Sequence, residues 1–225
     1  MTIDALSQND LTALAGDIAG GMPKLDRTEQ RVAVELYRLL ADGQPVEHER
    51  LARRARVPLS RVTQVLSSWP GVYQEDQGQV IGFWGLSLAK MPPHRFEVAG
   101  KKLWTWCAWD ALFIPGILGI AARVESTCAT TGESVSMVVG PQGVTELSPA
   151  GSVLSFRRPE GRFDYNVIQN FCRYVLFFSS EAAGREWTSL RPNAFLLTIP
   201  DGFELGRRLV QRHYGRMPDA EARAV

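Results

Sequence analysis

The chain has 225 residues, with 25 lysines and arginines against 24 aspartates and glutamates, for a net charge of +1. At about 150 residues per domain, that length makes one large domain or two small ones. It buries roughly 70% of the unfolded chain's surface, so folding needs no disulfide or structural metal. Near-neutrality argues against dependence on a large phosphate-facing charge excess.

The N-terminus, MTIDALSQND, has no basic stretch ahead of an apolar run, and no secretory signal is expected. The longest apolar run, Trp104 to Ala122, is interrupted by Asp110 and two glycines and reads as core, so no membrane contact is expected. Three cysteines without a signal fit free thiols in a reducing, cytoplasmic compartment.

Residues 1–22 read as an N-terminal extension, with a short helix over Ala5–Ile18 and a flexible joint at Gly20-Gly21 and Pro23. Asp26 and Glu29 have capping-box spacing, and Val32, Leu36, Leu39 and Leu40 follow at helical intervals, with Gly43 as a stop. Two short helices come next. Leu51, Ala52 and Ala55 form the apolar face of the first; Pro58 breaks the chain; Ser60 is the expected cap of the second, which turns Val62, Val65 and Leu66 inward. Val72–Gln74 and Val80–Trp84 flank a polar glycine turn as a hairpin. Helix, helix-turn-helix and hairpin in that order predict a winged-helix-like unit over residues 24–90. Arg61, Thr63 and Gln64 on its outer face, with Arg53, Arg54 and Arg56, could meet phosphates and base edges, or stand as solvated groups on a packing module. The wing's scarcity of lysine and arginine weighs against nucleic acid.

Met91-Pro92-Pro93 separates this unit from residues 91–217; residues 218–225 are left as a tail. A hairpin is expected over Arg95–Val98 and Leu103–Trp106, then a helix from Cys107 to the Pro115-Gly116 break. Strands are expected at Ala121–Thr127, Glu133–Val139, Val153–Phe156, Tyr174–Phe178 and Phe195–Ile199. Helices are expected near Val167–Asn170, Glu181–Leu190 and Phe203–Tyr214. Strands and helices mix without βαβ alternation, which predicts an α+β fold: a winged-helix-like helical unit followed by a mixed antiparallel-sheet and helix domain.

No CxxC pair, glycine-rich phosphate loop or nucleophile elbow is present, and His48, His94 and His213 are scattered. What remains is Cys107, Cys128 and Cys172 with nearby carboxylates. A helix starting at Cys107 would place Asp110 on the same face, and the helix dipole would favour the Cys107 thiolate. Among Trp104, Trp106, Trp109 and Phe113, the Asp110 carboxyl would titrate near neutrality. The plainer alternative is a buried cysteine beside a capping or salt-bridging aspartate. By themselves, Cys128 and Cys172 read as packing residues.

The run Leu103–Pro115 (LWTWCAWDALFIP) resembles the signature of the organomercurial, or alkylmercury, lyases, as do Ala122–Gly132 (ARVESTCATTG) and Phe171-Cys172 ahead of an aromatic stretch. The resemblance spans roughly residues 25–215. It implies that Cys107 and Cys172 are catalytic thiols that bind the substrate and product mercury, that Asp110 is the catalytic carboxylate beside that metal, and that Cys128 is structural. It implies protonolysis of a carbon–mercury bond with no cofactor, small thiols for product release, and a mercuric reductase as recipient of Hg(II). Some members carry a second cysteine after the catalytic one, where this chain has Arg173. Trp106, Phe171 and Phe177 are candidate walls of a pocket for the organic group. Two other readings stand beside it: a winged-helix regulator sensing a soft metal or oxidant through its cysteines, and a module that binds Hg(II) without cleaving anything.

Overall fold

The computed structural model describes residue 3 and residues 5–215. Ser7 caps the first helix, α1 (Gln8–Gly21), by accepting the Asp10 N–H. Leu11, Leu14, Ala15 and Ile18 recur at helical spacing and are buried, because α1 lies along the last helix of the chain. The helix expected over Ala5–Ile18 is thus present as Gln8–Gly21, packed on its inner face, and it runs through Gly20 where a joint was expected. In α2 (Arg27–Ala41) the capping box forms as the spacing predicts: Asp26 accepts the Glu29 N–H at 2.8 Å and Glu29 accepts the Asp26 N–H at 2.9 Å.

Helix α3 (His48–Ala55) ends on Arg56 in the left-handed region, with φ 53°. Helix α4 (Leu59–Ser68) starts directly after Pro58, so Ser60 lies inside the helix and is not its cap. The Pro58 carbonyl takes the Arg61 and Val62 N–H groups without a side-chain cap. The wing hairpin is β1 (Val72–Gln74) and β2 (Val80–Phe83). A tight turn at Trp84-Gly85 then leads into β3 (Leu86–Ser87), too short to show a period in sequence.

The second half holds β4 (Arg95–Val98), β5 (Lys101–Thr105), α5 (Asp110–Leu118), β6 (Ala122–Thr127), β7 (Ser134–Gly140), β8 (Gly143–Ser148) and β9 (Val153–Arg157). After these come α6 (Val167–Asn170), a 3-10 turn over Cys172–Tyr174, β10 (Phe177–Phe178), α7 (Glu181–Ser189), β11 (Ala194–Thr198) and α8 (Ile199–Tyr214). The mixed α+β architecture is the one expected.

Three local expectations change. The helix expected from Cys107 begins at Asp110 and continues through Pro115, its sixth residue, instead of stopping there. The expected strand Tyr174–Phe178 shrinks to two residues, because the chain first turns through the 3-10 segment. Strand β8 stands where no element was expected; it is an edge strand without a buried face, so no alternation marks it.

Eight strands form one antiparallel sheet in the order β1-β2-β3-β5-β4-β6-β7-β8, and β10-β9-β11 form a second. Strand β3 couples the wing to β5, pairing Leu86 with Thr105 and Ser87 with Trp104. The first sheet thus crosses from the winged-helix unit into the second half without a break. Residues 216–225, including the expected tail, lie outside the described residues.

Helix α8 crosses α5 so closely that a Cβ on Gly206 would sit 2.6 Å from the Phe113 Cβ. Gly206→Ala must push these helices apart, at a cost of about 1–3 kcal/mol; the urea midpoint is expected to fall accordingly, and an unchanged midpoint contradicts the close crossing.

Candidate active site

Strand β5 ends at Thr105, whose hydroxyl donates to the Cys107 carbonyl at 3.0 Å. This bends the chain and leaves Cys107 before the helix. Asp110 is the first residue of α5 and folds back to accept the Cys107 backbone N–H at 2.9 Å. The spacing of three residues works through this backbone hydrogen bond, not through a shared helical face.

Cys172 lies 65 residues further on, at the start of the 3-10 turn. The Ala108 N–H donates to the Val175 carbonyl at 3.0 Å, tying the residue after Cys107 to the end of that turn. Ser155 on β9 fixes the same segment: its hydroxyl donates to the Tyr174 carbonyl at 2.8 Å and accepts the Leu176 N–H at 3.0 Å. As a result one ligand atom each from Cys107, Asp110 and Cys172 lies within 4.8 Å of the others, and all three residues are buried.

Burial dominates the electrostatics. Desolvation carries the Asp110 carboxyl from the usual 3.8 up to about 7, against the opposing pull of hydrogen bonds from Cys107. Burial pushes the Cys107 thiol well above its usual range, and its hydrogen bond to Cys172 adds to this. That same bond favours ionised Cys172, but burial and the nearby Asp110 charge still leave its thiol raised. The helix dipole expected to acidify Cys107 is outweighed by desolvation.

Asp110 and Cys172 border a cavity of about 30 Å³ walled by Trp84, Trp106, Trp109, Phe113, Phe163 and Phe171, with Cys107 fully buried behind them. Trp106 and Phe171 thus line this cavity. Phe177 does not. The 3-10 turn redirects the chain, β10 pairs Phe177 with Leu154, and its ring lies 5.6 Å from His94. Cys128 is not in the thiol cluster; it is buried in the Cys128–Gly132 turn, where its sulfur accepts the Thr131 N–H. Burial opposes its ionisation, but hydrogen bonds from Thr131 and Ser179 outweigh this and bring it down to about 7. Arg173 is exposed, in a turn rather than a strand, with its guanidinium 5.3 Å from the centre of the Tyr174 ring.

Sequence reasoning missed what the N-terminal half contributes. Ile18 and Met22 reach the cavity from the first helix and its exit, and Trp84 and Gly85 reach it from the turn before β3. Gly85 has φ +97°, and a Cβ there would lie 2.5 Å from the Asp110 Cγ. Only glycine lets the turn close over the carboxyl. The turn is held by Tyr37 of α2, whose hydroxyl donates to the Trp84 carbonyl at 2.7 Å, and by the Trp106 N–H donating to the Gly85 carbonyl at 2.9 Å. An isolated glycine flanking a strand signals close backbone approach, and Gly85 carried that signal.

Part of the candidate DNA face is engaged by its own chain, while Arg53 and Arg56 are exposed and make no ion pair among the described residues. Arg61 bonds Asp26 at 3.2 Å, Glu29 at 3.0 Å and Gln64 at 3.1 Å, and Arg54 pairs with Glu35 at 3.5 Å.

The Asp110 carboxyl binds its proton more tightly in the folded chain than in the unfolded one. Its contribution to stability is therefore complete below about pH 4, falls as pH rises to about 7, and is level above that. The change from 3.8 to about 7 corresponds to about 4 kcal/mol. Urea unfolding of the protein and of Asp110→Asn across this window is expected to show that decline in the first and its absence in the second.

Residues 86–211 match the family model described as alkylmercury lyase, and residues 12–84 match the helix-turn-helix domain of alkylmercury lyase. The latter match starts within α1, ahead of residue 25, where the resemblance was taken to begin. An alkylmercury lyase of Staphylococcus epidermidis is 40% identical over 79% of this chain and 81% of its own. One from Bacillus cereus is 37% identical over 81% of this chain and 82% of its own, and one from Pseudomonas putida 36% identical over 80% and 82%. The crystal structure of the mercury-bound form of MerB2 shares the fold, with a TM-score of 0.72 at 20% identity over 92% of this chain and all of that one. By sequence across both of its halves, the chain belongs to the alkylmercury lyase family.

Proposed function

We propose that the chain cleaves the carbon–mercury bond of organomercury compounds by protonolysis at Cys107, Asp110 and Cys172. The observation that carries this reading is the convergence of two thiols and one carboxyl within 4.8 Å, the carboxyl titrating near neutrality. Thiolates are the softest donors a protein offers, and organomercury is a soft cation.

Cys172, once ionised, displaces the ligand that accompanies R–Hg⁺. Asp110, as carboxylate, takes the Cys107 proton, and the freed sulfur becomes the second ligand on mercury. The carboxylic acid so formed gives its proton to the carbon. The carbon–mercury electron pair becomes the new C–H bond, the hydrocarbon leaves, and Hg(II) remains on two sulfurs with no change of oxidation state. A carboxyl near neutrality suits both halves of this transfer. The aromatic walls receive the organic group and exclude water.

Small thiols then remove Hg(II), which passes to a mercuric reductase. Three free cysteines fit a reducing compartment such as the cytoplasm. Within this reading residues 24–90 serve as a wall of the site, residues 91–217 carry the reacting groups, and Cys128 is structural. The regulator reading gains nothing from a recognition helix whose Arg61 is bound by Asp26 and Glu29.

Methane from methylmercury, or benzene from phenylmercury, measured in excess thiol, tests the reading directly. Cys107→Ser and Cys172→Ser are each expected to abolish release; retained turnover removes that thiol from the mechanism. Asp110→Ala is expected to bind organomercury yet cleave about 10²–10⁴-fold more slowly, the usual worth of a positioned proton donor. Normal cleavage would mean that the proton comes from elsewhere. Gly85→Ala, with its Cβ driven into the Asp110 carboxyl, is expected to lose cleavage while still taking up Hg(II) on both sulfurs; unimpaired cleavage counts against the role given to the turn.

A further inference from the structure

We propose that the polar cavity on the far side of the Phe163–Phe171 wall docks the carboxylate of a small anionic thiol, which exchanges onto the mercury at Cys172. The inference rests on the lyase reading. The cavity has about 370 Å³, within the range of small-molecule sites. Its charged lining is four arginines, Arg157, Arg158, Arg162 and Arg173, against Glu160 and Asp164. Arg157 is committed to Glu160 and lies over the Tyr174 ring, and Arg158 pairs with Asp17 at 2.6 Å. Arg162 and Arg173 are exposed and have no carboxylate partner among the described residues. Asp164 accepts the Asn166 N–H. Two guanidiniums are thus left to receive an outside anion, and a guanidinium fork matches a carboxylate.

Position gives this charge its meaning. Phe163, Val167 and Phe171 line both this cavity and the active-site cavity. Cys172 stands in sequence between Phe171, which borders both, and Arg173, which borders the polar one. Both sulfurs that would hold Hg(II) belong to buried residues, so exchange requires a thiol brought to the Cys172 side. A thiol anchored by its carboxylate gains effective concentration there. Two thiols RSH are consumed: two Hg–S(cysteine) bonds break, two Hg–SR bonds form, and the two protons pass to Cys172 and Cys107. Mercury remains Hg(II) throughout.

The test compares 3-mercaptopropionate, 2-mercaptoethanol and cysteamine as the sole thiol in multiple turnover at constant ionic strength, with concentrations expressed as thiolate. Half-saturation is expected at about tenfold lower concentration for the anionic thiol than for the neutral one, with the cationic thiol poorest. Arg162→Gln with Arg173→Gln is expected to raise that concentration about tenfold for 3-mercaptopropionate and to leave 2-mercaptoethanol unchanged. Hydrocarbon release in a single turnover is expected to be the same in the variant, which also shows that it folds. Equal half-saturation by all three thiols, or a variant that keeps the preference for the anionic thiol, overturns the docking proposal and leaves the lyase reading intact. Absence of hydrocarbon from the unaltered protein in a single turnover overturns both.

Discussion

Desolvation of the Asp110 carboxyl is the constraint on which the rest depends. Packed beneath the Gly85 backbone and among Trp109 and Phe113, the carboxyl loses water that no ion pair replaces, and so it holds its proton up to about pH 7. The same dryness raises both thiols. In water an aspartate is too weak a base to take a thiol proton. Here the carboxyl holds a proton up to about pH 7, which makes it a far stronger base than aspartate in water.

Building that environment requires segments that are remote in sequence. The Ala108–Val175 hydrogen bond and the Ser155 clamp bring the Cys172 turn against the Cys107 bend. Helix α8 locks the other side, where Trp109 donates to the Gly202 carbonyl at 2.9 Å and Gly206 admits Phe113. The winged-helix unit closes the top. Tyr37 holds the Trp84 carbonyl, and β3 extends the wing into the main sheet. A module whose shape suggests DNA reading thus works as a wall. Its Arg54 and Arg61 bind its own acids, and its turn supplies Trp84 and Gly85 to the cavity.

The legible parts of the fold were those with strong local rules. The Asp26–Glu29 capping box, the Ala99-Gly100 turn between β4 and β5, and the alternation of Ala122, Val124 and Ser126 inward along β6 are decided within a few residues. Strands β3 and β8 escaped because one is two residues long and the other buries no face. The segment after Cys172 was misread because an apolar run looks like a strand, whether it pairs or turns. Phe177 followed that error out of the cavity, and Gly85, a single residue, was passed over.

Sequence alone picked out the candidate groups, Cys107, Asp110 and Cys172, because a resemblance between short runs is a matter of residue identity and order. It also determined the α+β class, since the hydrophobic periods switch locally. Only the tertiary structure decided that Asp110 reaches Cys107 through the backbone N–H, that Cys172 closes a gap of 65 residues, and that the first helix and the wing wall the cavity. Those outcomes depend on which surfaces exclude water from which others. Exclusion of water is a property of packed, distant segments, and no local pattern encodes it.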